Sequence, residues 1–219
     1  MPPGLSFEQA AGFGLVYGTS YHALKQCAAL QAGETVLVLG AAGGVGIACV
    51  ELAKAMGATV IAAASTDEKL DYAKEAGADL CINYSNESLR DSIKSLTDGK
   101  GVDVVYDPVG GELAQQALRG LAWHGRYLVV GFAAGDIPAF PANIALLKEA
   151  SIVGVWWGTW LARHPQEHLE NMRELAAWIS DGTLQPKVTE TFALDDFATA
   201  FRRISERQAR GKVILQMQH

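Results

Sequence analysis

The sequence predicts an α/β fold, a doubly wound sheet of six parallel strands with extra terminal helices and a terminal strand. Three observations lead there. Strand-favouring and helix-favouring segments alternate along most of the 219 residues. The strand segments are near-continuous apolar runs, as in Val102-Asp103-Val104-Val105-Tyr106 and Tyr127-Leu128-Val129-Val130, the pattern of strands covered on both faces. The first of them, Val36-Leu37-Val38-Leu39, runs into the glycine-dense turn Gly40-Ala41-Ala42-Gly43-Gly44-Val45-Gly46, and helix-favouring residues follow at once.

Taken in order, residues 6–29 begin with a Ser6-x-x-Gln9 capping box and continue as one or two apolar helices. Strands are expected near 35–39, 59–64, 80–83, 102–106, 126–131 and 151–157. Helices near 43–56, 67–76, 86–97, 111–122 and 142–149 separate them, which implies the strand order 3-2-1-4-5-6. Pro165 opens a long helix over 165–181. After Gly182 come an extended segment at 188–192, a helix at 195–206 and a last strand at 212–217. That strand belongs to none of the six units and has no evident partner in the chain. Segments 188–192 and 212–217 are therefore expected to be poorly ordered or paired with a neighbouring molecule. The chain divides into a helical lead-in (1–34), a dinucleotide-binding domain (35–182) and a carboxyl-terminal strand-helix-strand (183–219).

Composition bounds the function. The net charge of −6 and 49% hydrophobic content describe an ordinary globular chain, long enough to bury about 70% of its unfolded surface without a staple. Net acidity argues against a broad nucleic-acid or membrane surface. Cys27, Cys49 and Cys81 are scattered in apolar contexts and read as reduced core thiols. Neither a signal-peptide pattern nor an apolar run of membrane-spanning length is found, so a cytoplasmic location is expected.

Glycines in a strand-to-helix turn let backbone N–H groups approach phosphate, and the helix that follows offers unpaired amides and a favourable dipole. That chemistry holds the pyrophosphate of a dinucleotide on a Rossmann sheet. Ala41 stands at the first glycine of the usual G-x-G-x-x-G pattern, and no Lys-Ser or Lys-Thr pair follows Gly46, which disfavours an ATP-type loop. A glycine cluster alone also suits a bare tight turn; the flanking strand and helix favour cofactor binding.

Six segments carry a family resemblance: Tyr17-x-Thr19-Ser20-Tyr21-His22-Ala23-Leu24, the glycine turn, Ile82-Asn83-Tyr84, Asp107-Pro108-Val109-Gly110-Gly111, Gly125-Arg126-Tyr127 and Gly211-Lys212-Val213. In this order the chain resembles the medium-chain dehydrogenase/reductase family, specifically its zinc-independent quinone oxidoreductase (zeta-crystallin-like) branch. The resemblance implies NADPH-dependent reduction of a quinone or an α,β-unsaturated carbonyl. It also implies an amino-terminal GroES-like domain of about a hundred residues, a common domain size, that supplies half of the cleft and packs on the last strand and helix. That domain is not in this sequence, so the chain resembles a cofactor-binding portion, expected to bind NADPH and to turn over poorly alone. Alternatives are an enoyl-thioester reductase module and a non-catalytic NADPH-binding interaction module.

The resemblance also assigns residues. Ala42, Gly43, Gly44, Val45 and Gly46 hold the pyrophosphate. Strand two ends Ala64-Ser65-Thr66-Asp67-Glu68-Lys69, with Ala64 where an NAD-selecting acid stands in the family. Ser65 and Thr66 offer hydroxyls and Lys69 a cation to a 2′-phosphate, so NADPH is expected over NADH. The same residues also suit an N-cap with acids complementing the helix dipole, and Asp67 remains a candidate for the ribose. Tyr84 belongs beside the adenosine, or is an ordinary strand-end tyrosine. Val109 lies in the turn after strand four, where Asp107 reads as a turn residue rather than a catalytic acid. Gly131 and Phe132 line the nicotinamide pocket, and Val155-Trp156-Trp157 ends strand six beside it; Trp156 and Trp157 suit flanking a flat substrate, or form an apolar core or interface pair. Thr19 approaches the nicotinamide, or is a helix-interior threonine. Lys212 contacts a cofactor phosphate. No catalytic proton donor is identified.

His164-Pro165-Gln166-Glu167-His168 spells H-x-x-E-H, an inverted zinc-protease pattern. Proline belongs at the first helical position, which leaves His164 outside the regular turn, so no metal site is expected. Strand 151–157 is long, apolar and at the predicted sheet edge, and a homodimer is expected through it.

Overall fold

The structure, a computed structural model, describes residues 4–217. Strands β1 (Thr35–Leu39), β2 (Thr59–Ala64), β3 (Leu80–Asn83), β4 (Val102–Asp107), β5 (Leu121–Val129) and β6 (Ser151–Gly154) form one parallel sheet in the order β3-β2-β1-β4-β5-β6. The crossovers are α2 (Gly44–Ala55), α3 (Asp67–Glu75), α4 (Leu89–Leu96), α5 (Gly111–Arg119) and α6 (Ala142–Lys148). Alternation along β1 divides the interior in two. Val36 and Val38 join the core shared with α2, while Leu37 and Leu39 join the one under α4 and α5. A strand whose successive residues must both be apolar reads as a continuous run, which is why this half of the fold is plain in the sequence.

Helix α1 (Phe7–His22) starts at the Ser6 capping box and ends in a π-helical turn, Ala23–Cys27. It lies on α2, where the Phe13 and Tyr17 rings stack at 4.7 Å. Ser20 links three elements: its hydroxyl donates to the Val45 carbonyl at 3.0 Å and lies 2.8 Å from the Tyr106 hydroxyl. A bidentate Arg126–Glu34 pair, at 2.9 and 2.6 Å, ties β5 to the segment before β1.

Three expectations are corrected. Strand six stops at Gly154, not 157; Val155 adds one bond to the Val129 carbonyl (2.9 Å), and Trp156 then turns to cap α7 (Trp157–Arg163). The tryptophans explain the turn. Trp157 packs on Gly18 of α1, and Trp160 stacks between His22 at 4.4 Å and His164 at 5.5 Å. Ring packing on a neighbouring helix outweighs local strand propensity here.

The second correction concerns the carboxyl-terminal segment. After α8 (Pro165–Ser180), β7 (Val188–Ala193) and β8 (Lys212–Gln216) pair with each other in parallel, joined by a 3₁₀ turn and α9 (Phe197–Ser205). They form a second small sheet by themselves, a βαβ unit whose long crossover is the parallel connection. Strand five is also longer than expected. It begins at Leu121 and bends at His124 (φ 57°), with a register shift against β4. Among the described residues, no helix is long and apolar enough to cross a membrane, and the three cysteines are free thiols.

One buried carboxyl gives the fold a pH dependence. Glu51 of α2 is 8% exposed and accepts the Tyr17 hydroxyl. Burial pushes its pKa from 4.5 up to about 7, against the smaller lowering by the Tyr17 hydrogen bond and Lys187. A raised carboxyl favours the neutral form in the folded state. Its contribution is complete below the unfolded value of 4.5 and is lost as pH rises through about 7. Glu51→Gln should therefore stabilise the protein at pH 8 relative to pH 5 by about 2–3 kcal/mol more than in the wild type. Urea unfolding at the two pH values checks it; equal pH responses in the two proteins would contradict the assignment.

Candidate functional site

The glycine turn is built by close approach. Gly40 holds φ 58°, the Gly43 amide closes the turn onto the Gly40 carbonyl at 2.9 Å, and Ala41 N–H reaches the Ala63 carbonyl at 3.1 Å. A Cβ at Gly46 would run into the Gly40 carbonyl oxygen and Ala41 backbone. Only glycine lets the first turn of α2 sit this close to β1. No side chain caps α2, so its first-turn amides stay open to a ligand, with the positive end of the helix dipole behind them.

A cavity of about 330 Å³ opens on these amides. Gly40, Ala42, Gly43, Gly44 and Val45 form one wall. The second comes from the end of β2, the first turn of α3 and the residue after β3: Ala64, Lys69 and Tyr84. Pro108, Val109 and Ala133 form the third, and Arg207 and Ala209 the fourth.

The carboxyl-terminal unit is fastened directly to the turn. Gly211 N–H donates to the Ala42 carbonyl at 2.7 Å, and Gly211 forms a parallel bridge with Gly43. The Lys212 stem lies over Gly12 and Gly44 beside the start of α2. Lys69 Nζ donates to the Arg207 carbonyl at 2.9 Å and to Ser65 Oγ at 3.3 Å. One wall therefore comes from residues more than a hundred positions from the glycine turn.

Asp107 is a structural carboxylate. Its Oδ1 accepts from the amides of Val109 (2.7 Å) and Gly110 (2.8 Å), and Oδ2 accepts from the Tyr127 hydroxyl at 2.5 Å. This fixes Val109 against Gly40. Thr66 caps α3 by accepting from Lys69 N–H at 3.4 Å. Asp67 is taken by Asn83, whose Nδ2 donates to it at 2.7 Å. Among the described residues no carboxylate lines the cavity. Burial pushes the Tyr84 hydroxyl above the usual tyrosine value.

Of the residues expected from the sequence, the cavity brings together Ala42, Gly43, Gly44, Val45, Lys69, Tyr84 and Val109. Gly46 sits behind them as the packing contact, while Ser65 and Thr66 lie beside Lys69. Gly131 packs on Pro108 and Phe132 on Gly110, just outside the lining. Thr19, Val155 and Trp156 lie off the cavity. Thr19 is half-buried in α1 next to Ser20, Val155 is half-buried after β6, and Trp156 is exposed. Lys212 stands at the mouth through Gly44. Sequence reasoning missed Gly40, Pro108, Ala133, Ala209 and above all Arg207 as lining residues. The signal for Arg207 was the basic run Arg207-Gln208-Ala209-Arg210-Gly211 just before the last strand.

His164 caps α8 and pairs with Glu167 at 2.8 Å, while His168 meets the Trp157 ring. Among the described residues no three His, Cys, Asp or Glu side chains are grouped to hold a metal ion.

The sequence profile described as zinc-binding dehydrogenase matches residues 44–179. The chain is 42% identical over 216 residues to the quinone oxidoreductase-like protein 2 homolog of Nematostella vectensis, covering 98% of this chain and 59% of that protein. It is 31% identical over 220 residues to the mycocerosic acid synthase-like polyketide synthase of Mycolicibacterium smegmatis, covering 98% of this chain and 10% of that one. Among solved structures, the quinone oxidoreductase of Escherichia coli complexed with NADPH matches with a TM-score of 0.89 at 30% identity, covering 98% of this chain and 67% of that one. The chain spans 59% and 62% of the first two quinone oxidoreductase-like relatives it matches.

Proposed function

The chain belongs to the zinc-binding dehydrogenase family, and we propose that it is the cofactor-binding part of an NADPH-dependent oxidoreductase that passes hydride to a quinone or an α,β-unsaturated carbonyl, without zinc. The observation that carries this reading is the cavity itself. Open helix amides stand at one end, two cations at the other, and among the described residues no carboxylate lines it to repel phosphate.

The residues fit the dinucleotide. The approach of Gly46 to Gly40 leaves the turn free of side chains where a pyrophosphate would lie. Its charge would meet the amides of Gly44, Val45 and Gly46 and the start of the α2 dipole. Lys69 and Arg207 flank the position of a 2′-phosphate, with Ser65 and Tyr84 beside them. The partnering of Asp67 with Asn83 withdraws a nearby acid that would favour NADH. When bound, the cofactor supplies the hydride. The chain's part is to orient it and shield one side of it. The nicotinamide is proposed to run past Gly131 and Phe132, just outside the lining, towards Val155, Trp156 and Thr19, which lie off the cavity itself, and Lys212 is proposed as a phosphate contact on the α1 side.

The opposite wall is assigned to an amino-terminal domain packed on the carboxyl-terminal unit, where Phe197, Phe201 and Met217 are exposed at 53, 64 and 65%. A cytoplasmic location goes with this reading. An enoyl-thioester substrate is the second reading, favoured by the similarity to a polyketide synthase. A homodimer through β6 is proposed as well. β6 is an edge strand, Ile152 is exposed on it, and α6 beside it buries none of its residues. Unpaired edges of this kind call for a partner.

The function is tested by steady-state oxidation of NADPH and NADH with quinones, enones and an enoyl thioester. The chain is compared with its fusion to a family amino-terminal domain. The fusion should prefer NADPH and reduce quinone or enone, and the chain alone should turn over at least about tenfold more slowly, because orientation of the acceptor is lost. Lys69→Ala in the fusion should raise KM for NADPH about 10- to 100-fold and leave KM for NADH nearly unchanged. Equal effects on both cofactors would contradict the role of Lys69, and turnover of thioester alone would favour the second reading.

The dimer is tested separately by sedimentation. The wild type should be dimeric at micromolar concentration, and Val153→Lys should yield monomer with cofactor affinity retained. A wild-type monomer would contradict the edge pairing.

A further inference from the structure

Five of the 18 lysines and arginines surround one cavity of about 150 Å³, far from the cofactor cradle: Arg90, Lys94, Lys100, Arg119 and Lys148. It lies at the amino-terminal edge of the large sheet, where Gly101 and Gly120 lead into β4 and β5. Among the described residues no carboxylate lines it, and Asp91 faces a different cavity. Among the described residues none of the five cations is in an ion pair. Lys148 donates to the Leu121 carbonyl, and its ammonium is held below the usual lysine value by burial first and by the charge of Arg90 second.

Helix ends account for part of this charge and not for the rest. Lys94, Arg119 and Lys148 stand in the last turns of α4, α5 and α6, where cations offset the helix dipole. Each helix end is worth about half an elementary charge, so three ends offset roughly 1.5 of the five. Arg90 stands in the first turn of α4, where a cation opposes the dipole. It is also four residues before Lys94, a like-charge spacing that is itself unfavourable. Lys100 belongs to a loop. A protein of net charge −6 has carboxylates to spare, yet none is placed here.

We propose that this cleft is a second anion-binding site, taking a small phosphorylated ligand with two adjacent anionic groups. Five cations around so small a space exceed what one monovalent anion neutralises. The walls are three helix ends and two strand starts, which enclose a diphosphate better than they present a face to a folded partner. The cofactor cradle lies at the opposite, carboxyl edge of the same strands, so the site is separate from the dinucleotide's own phosphates. The inference does not depend on the hydride-transfer reading.

The test is calorimetric titration of the full chain with inorganic pyrophosphate at constant ionic strength. Sulfate and a short polyglutamate peptide serve as further arms. Lys94→Ala/Lys100→Ala, at two exposed positions, is the main variant, and Arg90→Gln is the second if the first melts early. Pyrophosphate should bind the wild type more tightly than sulfate does, and either variant should weaken it at least about tenfold. NADPH affinity of the variants, read by nicotinamide fluorescence, should stay at the wild-type value. Pyrophosphate binding that survives the substitutions and is displaced by NADPH would overturn the proposal, because the cradle alone would then hold it. Binding no tighter than that of sulfate, or a preference for the acidic peptide, would overturn it as well.

Discussion

The structure turns on the contact between Gly46 and the Gly40 carbonyl. Because no side chain intervenes, α2 starts directly on top of β1. Three consequences follow from that closeness. The first-turn amides of α2 open into the cavity instead of being capped. The turn's outer face exposes the Ala42 carbonyl, onto which Gly211 docks. The body of α2 is brought under α1, where Ser20 grips the Val45 carbonyl. A side chain at Gly46 would push α2 away and loosen all three together, since packed interiors do not yield continuously.

Most of the large sheet was legible because its strands are buried on both faces. Burial of that kind forces an apolar residue at nearly every position, and β1, β2 and β4 show it. The cavity residues near the glycine turn were legible for a related reason, since close backbone approach demands glycine and alanine in a fixed order. What stayed hidden depended on contacts distant in sequence. Trp156 and Trp157 read as strand until the ring of Trp157 is seen on Gly18. The pairing of β7 with β8 is short and half-exposed, without the apolar run of a buried strand. Arg207 belongs to a polar loop whose place against the cradle follows only from the docking of Gly211. Asp67 could not be assigned from its neighbours in sequence either, because its partner, Asn83, arrives from β3.

Charge is distributed by position more than by number. The chain is net acidic, yet cations line two cavities at opposite edges of one sheet. At the carboxyl edge, Lys69 and Arg207 line the cavity that opens at the start of α2. At the amino edge the last turns of α4, α5 and α6 border the cavity, and the positive charge there is that of side chains. Carboxylates near the cradle are withdrawn by hydrogen bonds, Asp107 to its own turn and Asp67 to Asn83. Glu51, deeper in α2, is set apart by burial.

The proposed position of a nicotinamide dinucleotide across the glycine turn, with its 2′-phosphate between Lys69 and Arg207, is tested most directly by an amide NMR titration of the chain with NADPH. Saturable shifts are expected at Gly43–Gly46, at Ser65–Lys69, at Val109 and at Arg207–Gly211, with the last group much smaller when NADH is used instead. Shifts absent from the glycine turn, or an identical pattern at Arg207 with both cofactors, would contradict it.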